Sequence, residues 1–197
     1  MRNYQIITDS ACDLPKAMLA QLDVTSTPLH VLFKGQNLPD SVDEGLKEIY
    51  NGLRAGEATS TSAANPEGWN AVMEPALQAG RDVLVLAFSS GLSTTYQSAV
   101  IAAQDLGEKY PQRTIRVVDT GCAALGQGLL VWHACKMRDA GLSLDELTAL
   151  TGNYPIADQI ENLGVEKQDG YLVFEQSYLK SLDKLYQPQY LEEIKAV

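Results

Sequence analysis

Basic residues are scarce in this chain: fifteen Lys and Arg stand against twenty-five Asp and Glu, a formal net charge of -10. That balance repels phosphate backbones and leaves no basic stripe for a groove, which excludes nucleic acid as a partner. Cysteine is nearly lacking. Cys12, Cys122 and Cys135 are odd in number and none forms a CxxC pair, so neither a disulfide framework nor a zinc site is expected, and no metal. They read as buried, unreactive thiols. No stretch approaches the roughly 18 apolar residues of a membrane helix, which argues against stable membrane insertion. Met1 to Tyr4 leads into a strand-like segment ending at Asp9, without the apolar core and cleavage site of a secretion signal, so a cytoplasmic protein is expected.

The composition, 45% hydrophobic and 20% charged, is that of a globular protein, and 197 residues allow one substantial core with a small appendage. Tyr4 to Thr8 reads as a buried strand, after which Asp13-Leu14-Pro15 opens a helix with an acid at the N-cap. Val24 to Phe33 is a second strand-like stretch interrupted at Pro28. Ser41-Val42-Asp43-Glu44 is a capping box for a helix to about Ala55, and Asn65-Pro66-Glu67 caps another to about Gln78. Val83 to Phe88 is apolar on both alternating faces, as a central parallel strand requires. A helix from Ser93, a strand Ile115 to Asp119 and a helix from about Ala123 to Asp139 follow.

This alternation predicts an α/β fold: a three-layer α/β/α sandwich with a mostly parallel central sheet. Residues 1–150 form that domain, and 151–197 form a short extension in which Tyr171 to Glu175 reads as a strand and Tyr178 to Ile194 as a closing helix.

Three segments share one arrangement, in which a strand ends, a hydroxyl-bearing loop follows and a helix begins. They are Thr8-Asp9-Ser10, Ser89-Ser90-Gly91-Leu92-Ser93-Thr94-Thr95 and Asp119-Thr120-Gly121-Cys122. A fourth hydroxyl cluster, Thr59-Ser60-Thr61-Ser62, precedes the helix capped at Asn65. Ligands of open parallel sheets bind beyond the carboxyl ends of the strands, so these loops are candidates for one shared site. Hydroxyls and free backbone N–H groups suit a carboxylate or phosphate, although Ser and Thr also serve simply as N-caps. Asp9 and Asp119 are read as organisers of loop N–H groups rather than metal ligands.

Thr8-Asp9-Ser10 with Asp13-Leu14-Pro15, Pro28-Leu29 with Phe33-Lys34-Gly35, Thr61-Ser62, Ser89-Ser90-Gly91-Leu92-Ser93 with Thr95-Tyr96-Gln97-Ser98-Ala99, and Val118-Asp119 with Gly126-Gln127-Gly128 resemble the DegV family. The resemblance covers about the first 150 residues, and the Ser-Gly-Leu-Ser and Thr-Tyr-Gln-Ser-Ala run is its specific part. It implies a two-domain, non-catalytic protein that binds a fatty acid such as a C16–C18 acid, needs no cofactor and, in some members, presents the carboxylate to a separate fatty-acid kinase subunit. By position, Thr61 and Ser93 resemble the carboxylate ligands; Thr8, Asp9 and Ser10 would shape the neighbouring loop; and Ser62, Ser90, Gly91, Thr94 and Asp119 complete the expected site.

The chain departs from the family pattern at Thr94, where glycine is usual, and at Ala63-Ala64-Asn65-Pro66, where a Gln-Pro-Ser-Pro-like run is usual. The family's second domain, with its Arg-Gly-Gly-Arg-like segment and late histidine, has no recognisable counterpart after Leu150. A shortened tail leaves Thr61 and Ser93 as a weak head-group site, unless a homodimer closes the gap. Two rivals stand beside this reading. One is a phosphate- or small-anion-binding enzyme domain, although no Walker lysine or Gly-x-Gly-x-x-Gly fingerprint follows a strand. The other is a degenerate interaction module without ligand. A hydrolase built on Ser93, His133 and Asp119 is disfavoured, because His133 falls within an apolar helix and no nucleophile elbow surrounds Ser93.

Overall fold

A computed structural model describes residues 3–40, 46–152, 167–168 and 171–172. Four strands, β1 (Tyr4–Asp9), β2 (Val24–Thr27), β6 (Asp82–Ala87) and β7 (Ile115–Asp119), pair in parallel in the order β2-β1-β6-β7. Every residue of β1, and all of β6 after Asp82, is buried, as expected of strands covered on both faces. The side chains alternate. Ile6, Leu84 and Leu86 face a layer built by Leu19 of α1 (Lys16–Gln21), Val131 and Ala134 of α5 (Ala124–Asp139) and Leu147 of α6 (Leu144–Gly152). Ile7, Val83 and Val85 face Trp69 and Met73 of α3 (Pro66–Gln78) and Ala99 and Ala102 of α4 (Thr95–Lys109). The three-layer α/β/α sandwich is thereby established.

Around this core the sequence reading holds for most elements and fails at specific ones. Asn65 caps α3 through its side chain, which accepts from the Gly68 N–H. Asp13 is not an N-cap: it closes a 3-10 turn at Ser10–Cys12 in the left-handed conformation, and Pro15 stands at the start of α1. Val24 to Phe33 divides at Pro28 into β2 and β3 (His30–Phe33), which join different sheets. With β4 (Gln36–Pro39) and β5 (Thr59–Ser62), β3 forms a three-stranded antiparallel sheet of order β4-β3-β5. Lys34 and Gly35 both carry positive φ, the geometry of a two-residue hairpin turn. The capping-box residues 41–44 lie outside the described residues, whereas α2 (Leu46–Arg54) is present.

The tail shows two short strands, β8 (Lys167–Gln168) and β9 (Tyr171–Leu172), paired antiparallel. The rest of the expected strand to Glu175 and the helix from Tyr178 to Ile194 lie outside the described residues. Among those residues no helix is long and apolar enough to cross a membrane.

Two contacts fix the helix layer. A Cβ at Gly128 would overlap the Cys12 carbonyl oxygen and press on Leu14, so glycine lets α5 approach the 3-10 turn. Ser143 and Glu146 form a reciprocal capping box at α6, with the Ser143 N–H donating to Glu146 Oε2 at 2.9 Å and the Glu146 N–H to Ser143 Oγ at 3.3 Å. Gly128→Ala is expected to destabilise the protein by about 1–3 kcal/mol, read as a lower urea midpoint at unchanged m-value; an unmoved midpoint would show that the contact relaxes freely. Ser143→Ala is expected to cost about 1 kcal/mol by the same measurement, and no loss would mean α6 does not depend on its cap.

Candidate anion-binding site

The order β2-β1-β6-β7 means that the chain progresses outward on one side of β1 and then returns to its other side. The carboxyl ends of β1 and β6 are therefore the topological switch point, where open α/β sheets receive ligands. Two strand-end acids organise the loops there. Asp9 is fully buried; its Oδ2 accepts from the Phe88 N–H at 2.8 Å, and its Oδ1 accepts from the Ala11 N–H and from Gln127 Nε2, each at 3.1 Å. Asp119 Oδ1 accepts from the Ser90 and Gly121 N–H groups, both at 3.1 Å. Ser89 N–H donates to the Cys122 carbonyl, and the Thr120 hydroxyl to the Ala87 carbonyl, so the three loops form one rim.

The electrostatics differ between the two acids. Burial raises the Asp9 carboxyl to about 6, against the opposing effects of the Phe88 N–H, the Gln127 amide and the Ala11 N–H, with the Asp40 charge raising it further. At Asp119 burial also acts upward, but the donors from Ser90 and Gly121 outweigh it and hold the group below the ordinary carboxylate range. With both oxygens of Asp9 and Oδ1 of Asp119 accepting from protein N–H groups, the two acids shape the rim.

The other expected residues divide by exposure. Thr8 is buried and donates its hydroxyl to the Leu86 carbonyl at 2.8 Å. Ser10 donates to Asp40 Oδ2 and accepts from the Leu29 N–H, both at 2.9 Å, which ties the β1 loop to the junction of the two sheets. Ser90, Gly91 and Thr94 are exposed, and Ser93 is half-buried. Ser93 lies two residues before α4; its Oγ is 2.8 Å from Thr95 Oγ1 and accepts from the Thr95 N–H. The Thr94 side chain does not cap α4, and the Thr95 N–H is taken by Ser93 Oγ, while the positive end of the 15-residue helix faces this loop. Thr61 and Ser62 are exposed on β5 opposite Val31 and His30, and successive strand residues point to opposite faces, so the two do not share one. The strand bearing Thr61 leads through buried Ala64 into α3, whose Trp69 indole donates to the Thr95 carbonyl at 3.2 Å and anchors the start of α4.

Reading the sequence missed Asp40, which carries no local signal, and assigned no role to Gln127, whose signal is a polar residue in an apolar helix. It also missed the strain at Ala124, a non-glycine residue at φ 53 where α5 begins. His133 is buried, and burial pulls its imidazole down to about 4, so it is neutral at neutral pH. Among the described residues no group of three His, Cys, Asp or Glu is placed to hold a metal ion. An open cleft lies at the opposite edge of the sheet, where strands begin, lined by Tyr4, Asp82, Thr114, Arg138, Asp139 and Asp145. Its acids disfavour an anion. The rim at the carboxyl edge, with its exposed hydroxyl residues and the N-terminal end of α4, favours one.

Comparison with known proteins agrees with this architecture. A family model described as "uncharacterised protein, DegV family" matches residues 3–153. A DegV domain-containing protein of Clostridium perfringens is 44% identical over 149 residues, covering 75% of this chain and 51% of its own length. One from Deinococcus radiodurans is 40% identical over 155 residues, covering 78% and 53%. A fatty-acid-binding DegV family protein from Thermus thermophilus superposes with a TM-score of 0.68 at 37% identity, covering 77% of this chain and 52% of its own. A stearic-acid-binding protein from Eubacterium ventriosum does so with a TM-score of 0.70 at 31% identity, covering 75% and 52%. The chain thus spans about half the length of the proteins it matches. By this match across nearly all of its sandwich, the chain belongs to the DegV family.

Proposed function

We propose that the protein binds a long-chain fatty acid without catalysing its conversion, the carboxylate being held by Thr61, Ser93 and the rim formed by Ser90, Gly91 and Thr94. The observation that carries this reading is the N-terminal end of α4, where the half-buried Ser93 hydroxyl accepts from the Thr95 N–H, at the switch point. In a chain of net charge -10, fixed dipoles and neutral donors hold an anion without a buried counter-ion. Fatty-acid binding by the Thermus thermophilus and Eubacterium ventriosum proteins supports the choice of ligand.

Burying a methylene contributes about 0.8 kcal/mol, so a C16 chain supplies on the order of 10 kcal/mol before costs, against about 1.5–3 for each hydrogen bond to the charged head. The tail sets affinity and the rim sets orientation. Leu92 and Leu125, exposed on the same rim, offer apolar surface. The chain spans about half the length of its relatives, and a homodimer is one source of further cover for the tail. The exposure of Ser90 and Thr94 leaves the head group accessible to a separate fatty-acid kinase subunit, the partner role we assign to this rim.

Native mass spectrometry of the purified protein, followed by denaturing extraction, tests the reading. A long-chain acid released near one per chain is expected. Ser93→Ala should weaken stearate binding by about 10- to 100-fold, the equivalent of one hydrogen bond to a charged group. If no acid co-purifies and added stearate gives no thermal protection while inorganic phosphate does, the site is a phosphate site and the lipid reading fails.

A further inference from the structure

Gln127 lies in the first turn of α5, fully buried, at the seam where β1 and β6 end. Its amide nitrogen donates to Thr8 Oγ1 at 3.0 Å and Asp9 Oδ1 at 3.1 Å, and lies 3.4 Å from the Leu86 carbonyl. Since the Thr8 hydroxyl gives its proton to Leu86, it can only accept from Gln127. Reversing the amide would set its oxygen against three acceptors, so the partners fix its orientation. The Gln127 oxygen is buried with no hydrogen-bond partner among the described residues. Leucine or methionine would fill the space without that orphaned acceptor, so packing alone does not account for glutamine here.

We propose that Gln127 is a positioning residue for the head-group site: it locks Thr8 and Asp9 at the end of β1, and through the Asp9 carboxylate it fixes where the Phe88 to Thr94 loop presents its donors. The inference rests on the carboxylate-binding reading of that loop. The coupling passes through one side chain. Asp9 Oδ1 accepts from Gln127 and Ala11 while Oδ2 accepts from Phe88, so losing Gln127 removes one of three donors in a site closed to solvent.

The charged surroundings do not replace that donor. Asp40, after β4, opposes ionisation of Asp9. On the 3-10 turn, burial pushes the Cys12 thiol up to about 12, so it is neutral, and Asp13 adds only negative charge there. From α5 and the loop after β6 the partners are the uncharged Gln127 amide and the Phe88 N–H. Asp9 is raised in the fold from 3.8 to about 6. The stabilising effect of its neutral form is therefore complete below 3.8 and fades as pH rises through about 6, above which the ionised group accepts all three hydrogen bonds. A proton taken up below that point has the second lone pair of Oδ2 to sit on, and it removes the charge that the Phe88 and Ala11 N–H groups face.

The test follows the Phe88 and Ala11 backbone amides by nitrogen-15 NMR between pH 4.5 and 8 without ligand, and measures stearate affinity at pH 7.5. In the wild type both amides should titrate together with a midpoint of about 6. In Gln127→Met the midpoint should rise by about one pH unit, the size of one lost hydrogen bond to a charged group, and stearate affinity should fall about 10-fold. An unshifted midpoint with unchanged stearate affinity overturns the inference while leaving the ligand reading intact. Failure of the wild type to bind stearate overturns both. The wild-type titration needs no variant, so amides that titrate separately, or not at all, overturn the inference even if Gln127→Met does not fold.

Discussion

The rim depends on one buried carboxylate. Asp9 ends β1 with no solvent exposure and receives the Phe88 N–H of the adjacent loop, so the two central strands are joined just where their connections diverge. An ionised group in such a place is costly, and its raised pKa records that cost. The fold offsets it with donors from three segments: Ala11 in the 3-10 turn, Phe88 after β6 and Gln127 from α5. Each segment is in turn held by packing. Gly128 seats α5 on the 3-10 turn, and the apolar strands of the sheet fix the separation of the two loops.

A second device repeats the logic at lower cost. Asp119, partly exposed, gathers the Ser90 and Gly121 N–H groups and stays below the usual carboxylate range. The two acids consume the donors that shape the loops, the Ser90 N–H among them, and leave the Thr94 side chain exposed beside the start of α4. On the proposed function, most of the affinity for a lipid comes from its tail, and the polar rim has only to orient the head.

How much of this was legible in the sequence depended on the kind of signal. The central strands were readable because burial on both faces writes an unbroken apolar run, as in Val83 to Ala87, and α3 was readable because Asn65-Pro66-Glu67 is a chemical start signal. The small antiparallel sheet was not, since Thr59 to Ser62 has no apolar alternation and becomes a strand only by pairing with β3. Lys34-Gly35 did carry a hairpin signal, and Ser143 to Glu146 a capping box, both recognisable from residue chemistry alone. At the rim, Asp9 and Asp119 were found as loop organisers because strand-end acids followed by small polar residues favour such turns. Gln127 could not be given its role, because the acceptors that meet it come from residues more than a hundred positions earlier in the chain.

The most direct measurement is a backbone-amide chemical-shift map with stearate added at pH 7.5. The account predicts the largest changes at Ser90 to Thr95, on the carboxyl edge of the parallel sheet, and at Thr61 of β5. Changes centred instead on the cleft of Tyr4, Asp82 and Asp145 at the opposite edge would contradict it.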